Sequence, residues 1–192
     1  MKFVPIVLLA VMAGASLGAA VPGAAGNGKN VAVVFASRYG STEQTARWIA
    51  EGIGEGATVV AAASAGDLGG YDRVVLGSGI YGNRLHADMA ALLERHGPAV
   101  KDRIAALFVV CGMPPDQAGG YLDMFAGACG AKPLLSRVFN GWMKKETLSP
   151  EDYRGLENYF RNAGYPFESY DHTDREKCVA FGREIRVALE GK

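Results

Sequence analysis

The sequence is short of the residues from which metal and cluster sites are built. Cysteine occurs three times in 192 residues, at Cys111, Cys129 and Cys178, and histidine three times, at His86, His96 and His172. No two cysteines form a C-x-x-C pair, so neither a zinc ligand set nor an iron–sulfur cluster is specified. Three cysteines permit one internal bridge at most. In an oxidising compartment Cys111–Cys129 is the pair to test; otherwise all three read as buried thiols. Charge of one sign is also missing: Lys plus Arg is 20, Asp plus Glu is 20, and the formal net charge is zero. Without a basic cluster, no nucleic-acid partner is expected. After residue 30 there is no internal repeat and no low-complexity tract.

Long uncharged runs are rare too, and the conspicuous one stands at the start. Lys2 gives one positive charge, residues 3–13 are apolar, and small residues fill 14–20. This is the layout of a secretory signal peptide, with small residues placed for cleavage after Ala20 or Ala25. No Cys follows the apolar run and no Arg pair precedes it, which excludes lipoprotein and twin-arginine signals. The alternative is an uncleaved anchor, because residues 3–21 approach the ~20 needed to span a bilayer. Residues 1–30 are therefore a signal peptide or membrane anchor plus linker, and residues 31–192 are the domain. The expected location is the exported side of a membrane, or attachment to it through residues 3–21.

From Val31 the pattern changes. Val31–Ala36 is a continuous apolar run with β-branched residues, as in a strand buried on both faces. Residues 42–55 have helical spacing through Ala46, Ile49, Ala50 and Ile53. Further strands are predicted at residues 58–62, 73–78 and 104–110, with a glycine-rich loop after the third strand. Helices are predicted at 86–96, 117–129 and 174–189. Residues 133–143 read as a last strand, or a strand plus loop. Ser149 is placed as an N-cap, with Pro150 at the first helical position and Glu151 and Asp152 in the first turn. Apolar strands alternating with amphipathic helices predict one α/β domain, a parallel sheet covered on both faces.

The chemistry concentrates between the first strand and the first helix, in Ser37, Arg38, Tyr39, Gly40, Ser41 and Thr42. A phosphate site needs inward N–H groups, hydroxyl donors and the positive end of a helix. Ser37, Ser41 and Thr42 supply hydroxyls, Gly40 permits a tight turn, and Arg38 supplies charge. The segment lacks the Gly-Lys-Ser/Thr ending of a Walker loop, and it is not a G-x-G-x-x-G turn.

This strand, loop and helix resemble the FMN phosphate loop of the flavodoxins. The resemblance spans roughly residues 31–190 and implies a doubly wound, three-layer, flavodoxin-like fold. It implies a five-stranded parallel sheet in the order 2-1-3-4-5, with non-covalent FMN at the switch point. Tyr39 departs from the small hydroxyl residue common at its position. Ser78, Gly79, Ile80, Tyr81, Gly82 and Asn83 resemble the loop that borders the flavin ring, with Tyr81 as the aromatic to stack on it. Cys111, Gly112 and Met113 take the third contact position by place alone. Pro114-Pro115 and the absent aromatic set that loop apart from short-chain carriers.

Within this family three features resemble the group that includes the menaquinone-dependent protoporphyrinogen oxidases. They are the Arg-x-Gly form of residues 38–40, the His86 that ends the second loop, and the aromatic-acidic run Tyr165-Pro166-Phe167-Glu168-Ser169-Tyr170-Asp171. The implied function is electron transfer through FMN to or from a protein or quinone partner. Alternatives are a quinone-dependent protoporphyrinogen oxidase and, in another class, a flavin-free binding module of the same fold. No catalytic acid or base is needed for simple electron transfer. His86 is the candidate if a proton must move, and a helix-start His with a structural hydrogen bond is its other reading.

Overall fold

A computed structural model describes residues 30–191, so the expected leader, anchor and most of the linker lie outside the described residues. The chain runs β1 (Val31–Ala36), α1 (Ser41–Ile53), β2 (Ala57–Ala61), β3 (Arg73–Tyr81), β4 (Arg84–Leu85) and α2 (Ala87–Val100). It continues through β5 (Ile104–Cys111), α3 (Gly119–Cys129), β6 (Leu135–Asn140), β7 (Trp142–Met143), α4 (Pro150–Ala163), β8 (Tyr170–Asp171) and α5 (Arg175–Glu190).

Five strands pair in parallel in the order β2-β1-β3-β5-β6. This is the expected 2-1-3-4-5 order, with β4 a short antiparallel addition to β3. Alternation along β1 feeds two cores, because successive side chains point to opposite faces. Val31, Val33 and Phe35 meet Ile49, Ile53, Phe181 and Ile185 of α1 and α5. Ala32, Val34 and Ala36 meet Met89, Leu92 and Phe125 of α2 and α3. All eight residues of β5 are buried, which accounts for its wholly apolar sequence. The result is the three-layer, doubly wound fold. Strand order reverses between β1 and β3, so a crevice is expected beyond their carboxyl ends.

Three expectations change. The glycine-rich loop after the third strand is instead a hairpin: β3 continues to Tyr81 and turns through Gly82 (φ 54°) and Asn83 (φ 60°) into β4. Two successive left-handed residues make the turn that suits the twist of paired strands. Gly77 to Gly82 reads G-x-G-x-x-G, but it leads into this hairpin rather than a helix and is no dinucleotide turn. Residues 133–143 divide at Gly141 into β6 and β7, and β7 pairs antiparallel with β8. The second helix passes Pro98 to reach Val100, and forgoes the bond that an N–H at residue 98 would have given the Glu94 carbonyl.

Candidate functional site

β1 stops at Ala36 and α1 starts at Ser41, leaving Ser37 to Gly40 to make the turn. Gly40 has φ 88°, a left-handed conformation that a side chain resists. Its N–H donates to Ser37 Oγ at 3.0 Å. No side chain caps α1, although the first N–H groups of a helix have no partner within it. Thr42 is fully buried, and its Oγ1 has no hydrogen-bond partner. An uncapped helix end beside a buried, unpaired hydroxyl has the donor set of an anion seat.

The loop is braced from far along the chain. Trp142 Nε1–H donates to the Tyr39 carbonyl at 2.8 Å, and its ring edge is 3.2 Å from where a Cβ on Gly40 would lie. The Tyr39 hydroxyl donates to Asp152 and accepts the Ser149 N–H at 3.2 Å. Arg38 Nη1 pairs with the same carboxylate at 2.7 Å. These bonds, the Tyr39 hydroxyl foremost, hold the Asp152 carboxyl below its usual range, and the Asp152 carboxylate raises Arg38. Ser149 caps α4 as expected, its hydroxyl accepting from Asp152 N–H at 3.1 Å.

The second segment divides. The Tyr81 hydroxyl turns back to the loop and accepts Arg38 N–H at 3.0 Å, while the Arg38 guanidinium lies 5.1 Å from its ring centre. Burial pushes the Tyr81 phenol up. Gly79 lies beneath, its absent Cβ leaving room for the Tyr81 ring and Thr42 Oγ1. Ser78 does not reach the seat: its hydroxyl donates to the Gly79 carbonyl and accepts the His86 N–H, both at 2.9 Å. Ile80 is in β3, Gly82 and Asn83 form the hairpin tip, and Asn83 Oδ1 accepts from the Tyr121 hydroxyl at 2.6 Å. His86 follows its structural reading. Nδ1 accepts the Asp88 N–H at 3.2 Å to cap α2, and burial lowers its pKa.

The third segment meets the β7–β8 ribbon. The Cys111 thiol donates to the Met113 carbonyl at 3.6 Å, and the Cys111 carbonyl accepts Gly141 N–H at 3.2 Å. A Cβ on Gly112 would lie 2.5 Å from the Tyr170 hydroxyl, so a side chain there would displace the tip of the Tyr170 ring. The Tyr170 ring stacks on His172 at 4.8 Å. Met113 points outward, 38% exposed. All three cysteines are free, Cys111 and Cys129 included, and burial pushes Cys129 and Cys178 up to about 12.

Asp152, Trp142 and Tyr170 were not among the sequence candidates for the site. Trp142 carries a signal, being one of two tryptophans and following the last parallel strand at its carboxyl end. Asp152 and Tyr170 arrive through pairings more than a hundred residues long or through a two-residue strand, which leave no pattern.

A family model described as a flavodoxin domain matches residues 32–161. The comparison with curated proteins finds no match. Among solved structures, oxidised flavodoxin 1 from Bacillus cereus is 23% identical, covering 81% of this chain and 95% of its own, with a TM-score of 0.52. A flavodoxin from Streptococcus pneumoniae TIGR4 is 16% identical, covering 84% of this chain and 97% of its own, with a TM-score of 0.56. The flavodiiron core Flv1 from Synechocystis is 18% identical over 85% of this chain, with a TM-score of 0.54. The chain spans only 36% of that longer protein. At these identities the structures attest the fold, and the family model supplies the membership: the chain belongs to the flavodoxin domain family.

Proposed function

We propose that this protein holds FMN non-covalently and passes electrons between FMN and a redox protein or a quinone. The observation that carries the reading is the buried, unpartnered Thr42 hydroxyl beside the uncapped start of α1. Burying a hydroxyl without a partner is costly, and a phosphomonoester placed there would give it one. The residues present fit the group: Thr42, Ser41 and the backbone N–H groups of the loop would hold the phosphate. FMN, when bound, supplies the redox chemistry. The chain supports the seat through Trp142 and Asp152, and the His86 hydrogen bond suits positioning rather than proton transfer.

A second reading is quinone-dependent oxidation of protoporphyrinogen. It is supported by the sequence features noted above and by the segment between β7 and β8. That segment carries Tyr159 (64% exposed), on a helix tied to the loop by Asp152, and Tyr165 (67% exposed) just past the helix end. Export, or attachment through residues 3–21, belongs to the same proposal, and mass spectrometry of the mature N-terminus tests it.

The deciding experiment is titration of FMN with the purified protein. Quenching of flavin fluorescence and a bound-flavin absorbance spectrum are expected. Absence of both would leave the flavin-free binding module. Quinone-dependent turnover of protoporphyrinogen by the loaded protein would select the oxidase, and its absence the electron carrier.

A further inference from the structure

Tyr81, expected to stack on the flavin ring, turns its hydroxyl into the loop between β1 and α1. Its hydroxyl accepts Arg38 N–H at 3.0 Å. A Cβ built on Gly79 would stand 3.0 Å from both Tyr81 Oη and Thr42 Oγ1. The phenol oxygen and the unpartnered threonine hydroxyl therefore close on one small space. The ring is held in this pose. His86 meets it edge-on at 5.5 Å, and Arg38, tied to Asp152, lies over its face. Only glycine at 79 permits the fold-back, since a Cβ would come within 2.8 Å of Tyr81 Cε2.

We propose, resting on the FMN reading above, that Tyr81 is a specificity-determining residue whose hydroxyl stands in for a phosphate oxygen, so that only a phosphorylated ligand displaces it. The phenol is a neutral acceptor. A phosphate dianion makes a charge-assisted bond to the same Arg38 N–H, roughly twice as strong as a neutral one. It also gains from the positive end of α1. A phosphomonoester wins the seat on both counts, whereas the neutral polyol of riboflavin offers no more than the phenol already does. Tyr81 thus filters for phosphate before the flavin ring is considered.

Tyr81→Phe tests this, because it keeps the ring and its contacts with His86 and Arg38 and removes only the competing oxygen. The variant should bind FMN and inorganic phosphate about two- to twelvefold more tightly than the native protein, the range of one hydrogen bond. Riboflavin, which cannot displace the phenol, should gain more, so that the variant's preference for FMN over riboflavin narrows. Titrating the native protein with inorganic phosphate should perturb its tyrosine ultraviolet difference spectrum, and the variant should lose that component. Equal or weaker binding of FMN and phosphate by the variant overturns the proposal. So does native phosphate binding without the tyrosine signal, or no phosphate binding by either protein. The phosphate arm contains no flavin: if it succeeds while FMN fails to bind, the filter stands and the FMN reading falls. If FMN binds the native protein and the variant no better, the reverse holds.

Discussion

The Trp142 indole N–H donates to the Tyr39 carbonyl at 2.8 Å, joining residues 103 positions apart. The bond fixes the middle of the loop to β7, and the indole packs against Gly40. Trp142→Phe keeps an aromatic ring but leaves a partly buried carbonyl without its donor. One such bond is worth about 0.5–1.5 kcal/mol. We expect the FMN dissociation constant to rise roughly two- to twelvefold, read by fluorescence quenching. Unchanged affinity would show that the brace does not shape the seat.

Thr42→Val separates stability from binding. The hydroxyl is buried and unpartnered, and removing a group in that condition relieves a penalty of about 1–3 kcal/mol. Without FMN the variant should melt no lower than the native protein, and higher if the penalty is fully relieved. Its FMN affinity should fall, because the phosphate loses a donor. Thermal melts with and without FMN check both signs. A variant that is less stable without ligand would mean that Thr42 already has its partner in the loop.

Much of this was legible in the sequence, for physical reasons. β1 and β5 are buried on both faces, so they announce themselves as unbroken apolar runs. The Ser149-Pro150 helix start is local chemistry and was readable at sight. The β7–β8 ribbon was not, since two-residue strands have no period to detect and their pairing crosses α4. The Tyr81 fold-back was hidden for another reason. Local pattern placed an aromatic beside the site, but its direction is set by Gly79 beneath it and Arg38 above it.

Asp152 links loop stability to acid. Its pKa is lowered in the folded protein, chiefly by the Tyr39 hydroxyl and then by Arg38. A carboxyl with a depressed folded pKa contributes stability above its unfolded value, 3.8 here, and loses it as pH falls through the folded one. Arg38 is half exposed, so screening keeps the ion-pair part small. Asp152→Asn should therefore be less stable than the native protein at neutral pH, and the two should converge in acid below about pH 4. Denaturation midpoints measured across that range give the comparison. A gap that persists undiminished in acid would assign the effect to packing rather than to the carboxylate.

The α1–α5 crossing sets local propensity against packing. Gly182 lies inside α5, where alanine is worth about 1 kcal/mol more than glycine in helix propensity. On that ground Gly182→Ala should stabilise. But a Cβ at 182 would be driven onto the Ile49 carbonyl and within 2.8 Å of the Gly52 Cα. Gly52 faces the same obstruction from the Val179 backbone, so neither helix can yield by moving a flexible side chain. Forcing atoms into such a contact costs about 1–3 kcal/mol, occasionally more. The helices must part, and parting them loosens Ile49, Phe181 and Ile185 in the core below. We expect packing to prevail, lowering the melting temperature by about 2–4 °C for each kcal/mol lost in a domain of this size. A variant that melts higher than the native protein would mean that the crossing has slack and that propensity decides.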